Sequence, residues 1–280
     1  MARKARRDAG KAAGERPAPN AQKGRSRARR PPREDAARRG NDAAGLDLLY
    51  GVHAVSAAFK NPARVVRRVW ATENGAKRIT VPARLASLLE IETAEAIAAR
   101  LPDGAVHQGI LAAAEPLPEA MLADAAAMRR VAVLDQVTDP HNIGAILRSA
   151  AAFGVEALVM TERHAPATTG LVAKIASGAL EQVALIRATN LARAIETLQG
   201  QGFFCVGLAG ETEDDLADAV DGVERVALVL GAEGAGLRRL TRERCDILAR
   251  IPMPGAMESL NVSNAAAIAF YVAARAQRQG

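Results

Sequence analysis

From Val131 onward the sequence alternates between short apolar runs and helical patterns, and this alternation constrains the fold most. The apolar runs predict strands at 131–134, 157–160, 183–186, 203–208, 226–230 and 247–251, and helices are predicted at 143–153, 170–177, 191–198 and 262–277. Continuous apolar strands separated by helices are typical of a parallel sheet that is covered on both faces. The C-terminal part is therefore predicted to be an α/β domain with a mostly parallel sheet.

A shorter pattern precedes it and predicts a small α/β unit at 46–116. Its predicted elements are a helix that ends before Asn61-Pro62, a helix at 82–99 and a strand at 108–114, with an apolar run at 65–71 between the two helices. Residues 117–128 predict a linker with one helix.

The first 45 residues differ from the rest in composition and charge. Residues 1–40 contain 14 Lys and Arg against 4 Asp and Glu, a net charge of +10. The remaining residues contain 23 Lys and Arg against 27 Asp and Glu, a net charge of −4. A segment of Arg, Ala, Pro and Gly buries too little apolar surface to order itself, so 1–45 is predicted to be a disordered basic tail. It is either a solubilising tail or an arm that attracts RNA phosphate.

Three segments of the C-terminal part carry polar groups and glycines at the ends of predicted strands: 139–148, 230–237 and 251–263. In open α/β sheets, ligands bind outside the carboxyl ends of the strands. We therefore expect the three segments to form one site.

In the first segment, Pro140 and Asn142 end a strand and begin a helix, and Asn142 is suited to cap that helix. A helix N-terminus of this kind favours an anion such as an RNA phosphate. Arg148 lies on the same, mostly apolar helix and needs a partner, either a carboxylate of a neighbouring helix or a phosphate or ribose. His141 is more typical of a surface or packing residue than of a general base.

The second segment has the glycine pattern GxxGxG from Gly231 to Gly236. Glycine lets the backbone approach a flat ligand closely. A dinucleotide-binding GxGxxG belongs to the first strand-to-helix turn, and no Walker A sequence occurs, so the usual marks of nicotinamide and ATP sites are missing. Glu233 is either a solvated turn carboxylate or a group that orients a substrate.

In the third segment, Ser259, Asn261 and Ser263 are all candidate caps of the last helix. One helix needs one cap. The other two side chains can supply neutral hydrogen bonds to a ribose or an adenine edge.

Other sequence features exclude several classes of protein. Cys205 lies in an apolar run and Cys245 in a charged segment, without CxxC spacing, so neither a disulfide framework nor a metal site is predicted. No run approaches the roughly 18 apolar residues that a membrane span requires, and no secretory signal is present, so we expect a cytoplasmic protein without a membrane partner.

The three segments resemble, in order and spacing, motifs 1, 2 and 3 of the SpoU/TrmH branch of the SPOUT methyltransferases. The matching residues are Asn142 with Arg148, Leu230-Gly231-Ala232-Glu233-Gly234, and Ser259-Leu260-Asn261-Val262-Ser263. Residues 50–55, 107–110 and 207–211 are similar to the RlmB-like subgroup of that family. The resemblance covers about 230 residues and leaves out only the tail.

The resemblance implies a fold and an activity. It implies a SPOUT α/β-knot domain at 117–280 with a deep trefoil knot, an exception to the rule against threaded chains, and an RNA-binding domain similar to the L30e ribosomal protein at 46–116. The implied reaction is S-adenosylmethionine-dependent 2′-O-ribose methylation of a guanosine in 23S ribosomal RNA, the RNA of the large subunit, by a homodimer.

The resemblance also implies site residues. Gly231, Ile251 and Leu260 fall on cofactor-binding positions, and the catalytic positions are occupied by Asn142, Arg148, Glu233, Ser259 and Asn261. A role of the arginine as general base conflicts with its permanent charge, so we expect it to stabilise the developing alkoxide instead.

Two other functions stay open at this point. The same class of enzyme could methylate transfer RNA, although the N-terminal unit argues against it. The chain could also be a noncatalytic RNA-binding or ribosome-assembly factor on this fold, although every polar motif position is retained.

Overall fold

The computed structural model describes residues 45–162, 176, 178–256 and 259–277. The strands in these ranges are β1 (Asp47–Tyr50), β2 (Val66–Ala71), β3 (Leu89–Ile91), β4 (Ile110–Ala114), β5 (Arg130–Asp135), β6 (Ala157–Thr161), β7 (Ala184–Ala188), β8 (Phe204–Leu208), β9 (Val226–Gly231) and β10 (Ile247–Ala249). The α-helices are α1 (Val52–Lys60), α2 (Glu73–Ala76), α3 (Ala94–Ala98), α4 (Pro140–Phe153), α5 (Leu191–Gly200), α6 (Leu216–Ala219), α7 (Arg239–Arg244) and α8 (Val262–Ala276). Short 3₁₀ helices lie at Ala83–Leu88, Leu122–Ala127 and Ala179–Glu181.

The strands form two sheets. The first, in the order β1-β4-β2-β3, is mixed, and the second, in the order β10-β8-β9-β5-β6-β7, is parallel at every pairing. The predicted mostly parallel α/β domain is therefore confirmed.

Both faces of the second sheet are buried, as its apolar strands require. Ala132 and Leu134 of β5 pack in a core with α4 and α8, whereas Val131 and Val133 pack in a separate core with α5 on the opposite face. Successive side chains of a strand point to opposite faces of the sheet, so alternate residues of β5 contact different layers of helices. The layers leave the ends of the strands free for the segments that follow them.

One predicted element of the N-terminal unit is wrong. Residues 82–99 do not form one helix, because the 3₁₀ helix Ala83–Leu88 leads into β3, which pairs with β2, and a new helix starts after Thr93. The Thr93 Oγ1 accepts a hydrogen bond from the Ala96 backbone N–H at 3.2 Å and caps α3. Sheet pairing and this cap outweigh the helical pattern of the sequence.

Some predictions fall outside the residues that the structure describes. The disordered tail lies outside the described residues except for Gly45, and so does nearly all of the helix predicted at 170–177. The trefoil knot stays a prediction.

A buried cluster of charged side chains joins the two sheets. The Arg64 side chain, which is 1% exposed, pairs with Asp47 at 2.9 Å and with Glu181 at 2.9 Å. Arg64 and Asp47 belong to the first sheet and its connections, and Glu181 belongs to the unit of the second sheet. Beside the cluster, a Cβ on Gly178 would lie 2.4 Å from the Ala57 Cβ, so α1 packs directly on this turn. Because a buried charge without a partner is costly, the cluster favours the observed contact between the two units.

Candidate functional site

The carboxyl ends of β5 and β9 lie side by side at the centre of the second sheet, because Asp135 and Gly231 are paired in parallel register. The neighbouring strands run in the same direction, so the segments after β8 and β10 leave at the same edge. We call it the carboxyl edge. All three segments singled out in the sequence start there, as predicted.

The first segment begins α4 one turn earlier than the sequence indicated. Asp139 is the N-cap, since its Oδ1 accepts the His141 backbone N–H at 2.9 Å, and Pro140 occupies the first turn. The prediction that Asn142 caps this helix is therefore wrong. Its side chain is free for another partner, and its Oδ1 accepts a hydrogen bond from the Asn261 Nδ2 at 3.2 Å.

Asn261 joins the three segments. Its Oδ1 caps α8 by accepting the Ser263 backbone N–H at 2.9 Å, so Asn261 is the cap among the three predicted candidates. Its Nδ2 donates to Asn142 and, at 3.3 Å, to the Glu233 Oε2. One amide thus holds a group from each of the other two segments.

The loop after β9 folds back on its own first glycine. A Cβ on Gly231 would lie 2.1 Å from the Gly236 carbonyl carbon, and Ala232 and Gly236 form an antiparallel bridge. Gly236 has a φ of +64°, a conformation that side chains with a Cβ rarely adopt. The glycines permit a tight backbone turn that exposes peptide groups next to Glu233.

A cavity of about 560 Å³ opens at the carboxyl edge. Its lining includes the predicted cofactor residues Gly231, Ile251 and Leu260, together with Glu233 and Ser259. Asn261 donates a hydrogen bond to the lining residue Glu233, and Asn142 contacts Asn261 in turn. The structure therefore gathers seven of the eight predicted site residues around one cavity.

Arg148 is the exception. It is exposed on α4 and lies in a separate cleft of about 280 Å³ with His53 of α1 and Gln182. Among the described residues neither Arg148 nor His53 has an ion pair or a hydrogen bond from its side chain. Of the two partners considered from the sequence, a carboxylate on a neighbouring helix is thus not found in the described part of the chain.

Sequence reasoning gave no role to Asp135, which the structure places next to the site as the register partner of Gly231. Its side chain is fully buried at the end of β5, and its carboxylate accepts the Arg238 backbone N–H at 3.0 Å and the Arg238 Nε at 2.6 Å. A carboxylate immediately after a buried strand is the signal that could have identified it, because such a charge needs a partner.

The two cysteines are free thiols. Cys205 is fully buried, as expected, and burial raises the pKa of its thiol. Burial also raises the pKa of the Cys245 thiol to about 12.

Within the described ranges, no three His, Cys, Asp or Glu side chains are grouped so that they could hold a metal ion. Of the helices described above, none combines the length and apolar character needed to cross a bilayer.

Sequence models of two families match the chain. The RNA 2′-O ribose methyltransferase substrate binding family matches residues 48–120, and the SpoU rRNA Methylase family matches 129–271. The chain belongs to the SpoU rRNA methylase family.

Among curated proteins of this family, the 23S rRNA (guanosine-2′-O-)-methyltransferase RlmB of Coxiella burnetii is 41% identical over 244 residues, which cover 81% of this chain and 94% of the relative. The RlmB protein of Escherichia coli is 39% identical over 244 residues, 82% of this chain and 98% of the relative. Both alignments span nearly the whole relative and about four fifths of this chain.

Solved SpoU methyltransferases share the fold. The AviRb methyltransferase of Streptomyces viridochromogenes superimposes with a TM-score of 0.69 at 28% identity, covering 89% of this chain and 94% of that chain. The AdoMet-bound rRNA methyltransferase of Sinorhizobium meliloti has a TM-score of 0.70 at 21% identity and covers 86% and 91%. The second likeness supports the fold alone.

Proposed function

We propose that this protein transfers the methyl group of S-adenosylmethionine to the 2′-oxygen of a guanosine ribose in 23S ribosomal RNA. The observation that carries the proposal is the meeting of Asn142, Glu233 and Asn261 beside one cavity at the carboxyl edge. The RlmB relatives, which align over nearly their whole length, support the substrate. Such a substrate would place the chain in the cytoplasm.

The cavity fits the cofactor in size and chemistry. Its volume of about 560 Å³ lies in the range of small-molecule sites. We propose that the backbone at Gly231 and the apolar side chains of Ile251 and Leu260 hold the cofactor, because all three residues line the cavity. A Cβ at Gly231 would collide with the backbone of Gly236, so only glycine allows this loop conformation. When bound, S-adenosylmethionine supplies an electrophilic sulfonium methyl group. The protein's task is then to align the ribose oxygen with that methyl.

The polar side chains act on the ribose in this proposal. Asn142, Asn261 and Ser259 orient the sugar through neutral hydrogen bonds, and Glu233 holds the Asn261 amide in place. The cofactor would supply the methyl group to the 2′-oxygen and would leave as the neutral thioether when its carbon–sulfur bond breaks, while the hydroxyl proton would pass to an RNA phosphate or to water. A guanidinium keeps its charge at any physiological pH, so Arg148 stabilises the developing alkoxide without accepting the proton.

The position of Arg148 supports a homodimer as the working unit. Arg148 lies outside the cavity of its own chain, whereas α4 and α8 pack together and expose Ile268 and Tyr271 of α8. We propose that a second copy covers this surface and brings the arginine and the cavity together. In light scattering, Tyr271→Glu should then be monomeric and inactive, while the equally exposed Leu240→Glu stays a dimer. A monomeric wild-type protein would contradict the proposal.

We propose three functional divisions of the chain. Residues 46–116 bind RNA as an L30e-like domain, 117–280 carry the methyltransferase, and the basic tail at 1–45 adds nonspecific attraction to phosphate. The division between 46–116 and 117–280 is supported by the sheets, because β1 to β4 form one sheet and β5 to β10 form the other.

The test is transfer of labelled methyl groups from S-adenosylmethionine to purified 23S rRNA and, separately, to tRNA, followed by mapping of the 2′-O-methylated nucleotide. We expect one guanosine in 23S rRNA to be labelled. Arg148→Ala should lower turnover at least about 100-fold while cofactor binding persists. Label in tRNA alone would favour the other substrate, and absence of both label and cofactor binding would indicate a noncatalytic RNA-binding factor.

A further inference from the structure

The loop that carries Glu233 is fastened at its far end by a buried carboxylate. Residues 232–238 connect β9 to α7, and the last of them, Arg238, donates both its backbone N–H and its Nε to Asp135. These are two hydrogen bonds from one residue to one carboxylate, across 103 positions of sequence. The pair therefore ties the end of β5, which precedes the first segment, to the end of the loop that follows β9.

A buried carboxylate at position 135 lowers the stability of the fold unless a partner compensates its charge. Its side chain is 0% exposed, while that of Arg238 is 43% exposed, so the carboxylate has given up water and depends on this partner. Asp135 is also the register neighbour of Gly231, which lines the cofactor cavity. The charge thus lies beneath the base of the loop.

Residues 232–237 of the loop make few other contacts that hold them in place. Leu237 is buried in the core shared with α5, and Gly236 donates its N–H to the Ala232 carbonyl within the loop. Between these points Glu233 is held by the Asn261 Nδ2 at 3.3 Å. The side chains of the loop are thus hydrogen-bonded at two points, at Glu233 to Asn261 and at Arg238 to Asp135.

We propose that Asp135 and Arg238 are positioning residues that hold loop 232–238 in the form that binds the cofactor and orients Glu233. The pair does not touch the reacting atoms. It acts through the loop, and the inference rests on the proposed function in that the cavity receives S-adenosylmethionine.

The test compares neighbouring arginines. Arg238→Ala removes the side-chain half of the contact, and Arg239→Ala, the matched control, removes an exposed pair with Glu243 on the same helix. We expect Arg238→Ala to weaken cofactor binding in calorimetry at least about 10-fold, the scale of a hydrogen bond to a charged group. Arg239→Ala should bind as wild type, and Arg238→Lys, which keeps the charge, should recover part of the affinity.

Hydrogen exchange separates positioning from general destabilisation. In Arg238→Ala, amides of 232–238 should exchange faster while those of β5 and α8 keep wild-type protection. Faster exchange throughout the sheet, or unchanged cofactor affinity in Arg238→Ala, overturns the inference while the proposed function stands. Failure of the wild-type protein to bind S-adenosylmethionine would instead refute the proposed function.

Discussion

Asn261 has two roles that substitution can separate. Its Oδ1 caps α8, and its Nδ2 holds Asn142 and Glu233. Asn261→Ala removes both roles. Asn261→Asp keeps a good cap but loses both donated hydrogen bonds and places a second carboxylate next to Glu233.

The two substitutions should differ in stability and agree in activity. Asn261→Ala should lower the free energy of unfolding by about 2 kcal/mol, of which about 1 is the cap and about 0.5 each of the two long hydrogen bonds. That corresponds to a fall in Tm of about 4–8 °C for a domain of this size. Asn261→Asp should cost only about 1 kcal/mol. Turnover should fall at least about 100-fold in both, because the ribose loses its oriented donors.

The matched control is Asn190→Ala, which removes the cap of α5, where the Asn190 Oδ1 accepts the Arg193 N–H at 3.2 Å. It should lower stability by about 1 kcal/mol and leave turnover within about two-fold. Calorimetric melts and single-turnover methylation of 23S rRNA measure the two quantities. Near wild-type turnover in Asn261→Asp would refute the argument, as would an equal loss of turnover in Asn190→Ala.

Three further outcomes are expected. Gly231→Ala should abolish cofactor binding in calorimetry, since its Cβ would meet backbone at 2.1 Å, whereas Gly200→Ala, which has open space around it, should bind normally. Because burial raises the pKa of the Cys205 thiol and that of Cys245 to about 12, the folded state retains protons that the unfolded state releases near pH 8.5. Stability in denaturant melts should therefore fall between about pH 9 and pH 12, and less so in the double Cys→Ala variant. Deletion of 1–45 should weaken RNA binding and flatten its salt dependence; an unchanged salt slope would show that the tail does not contact RNA.

The sequence predicted the convergence of the site because two general rules applied together. Apolar periodicity located the strands that precede each segment, and parallel strands place their carboxyl ends at one edge. Asn142, Glu233 and Asn261, up to 119 positions apart, accordingly meet within hydrogen-bonding distance.

The errors arose where local signals competed. Asp139 and Asn142 are both good N-caps, and only the backbone shows that Asp139 is used. Residues 82–99 contain helix-forming residues, but pairing of β3 with β2 depends on contacts distant in sequence.

The surroundings of two side chains, Arg148 and Asp135, could not be predicted without the tertiary structure. Arg148 has the spacing of a site residue, yet which cleft it enters depends on how α1 packs on the second unit. Asp135 has a sequence signal of its own, but its partner Arg238 could not be paired with it without the fold.

The Arg64 cluster has a consequence for how the two units of the molecule could act together on one RNA. Asp47 and Glu181 both pair with this guanidinium, so the contact opposes a change in the distance between the N-terminal sheet and the carboxyl edge. An RNA bound to the N-terminal unit, as proposed, would present to the carboxyl edge only nucleotides at a set distance. The choice of target would then depend on the length and shape of the RNA as well as on its bases.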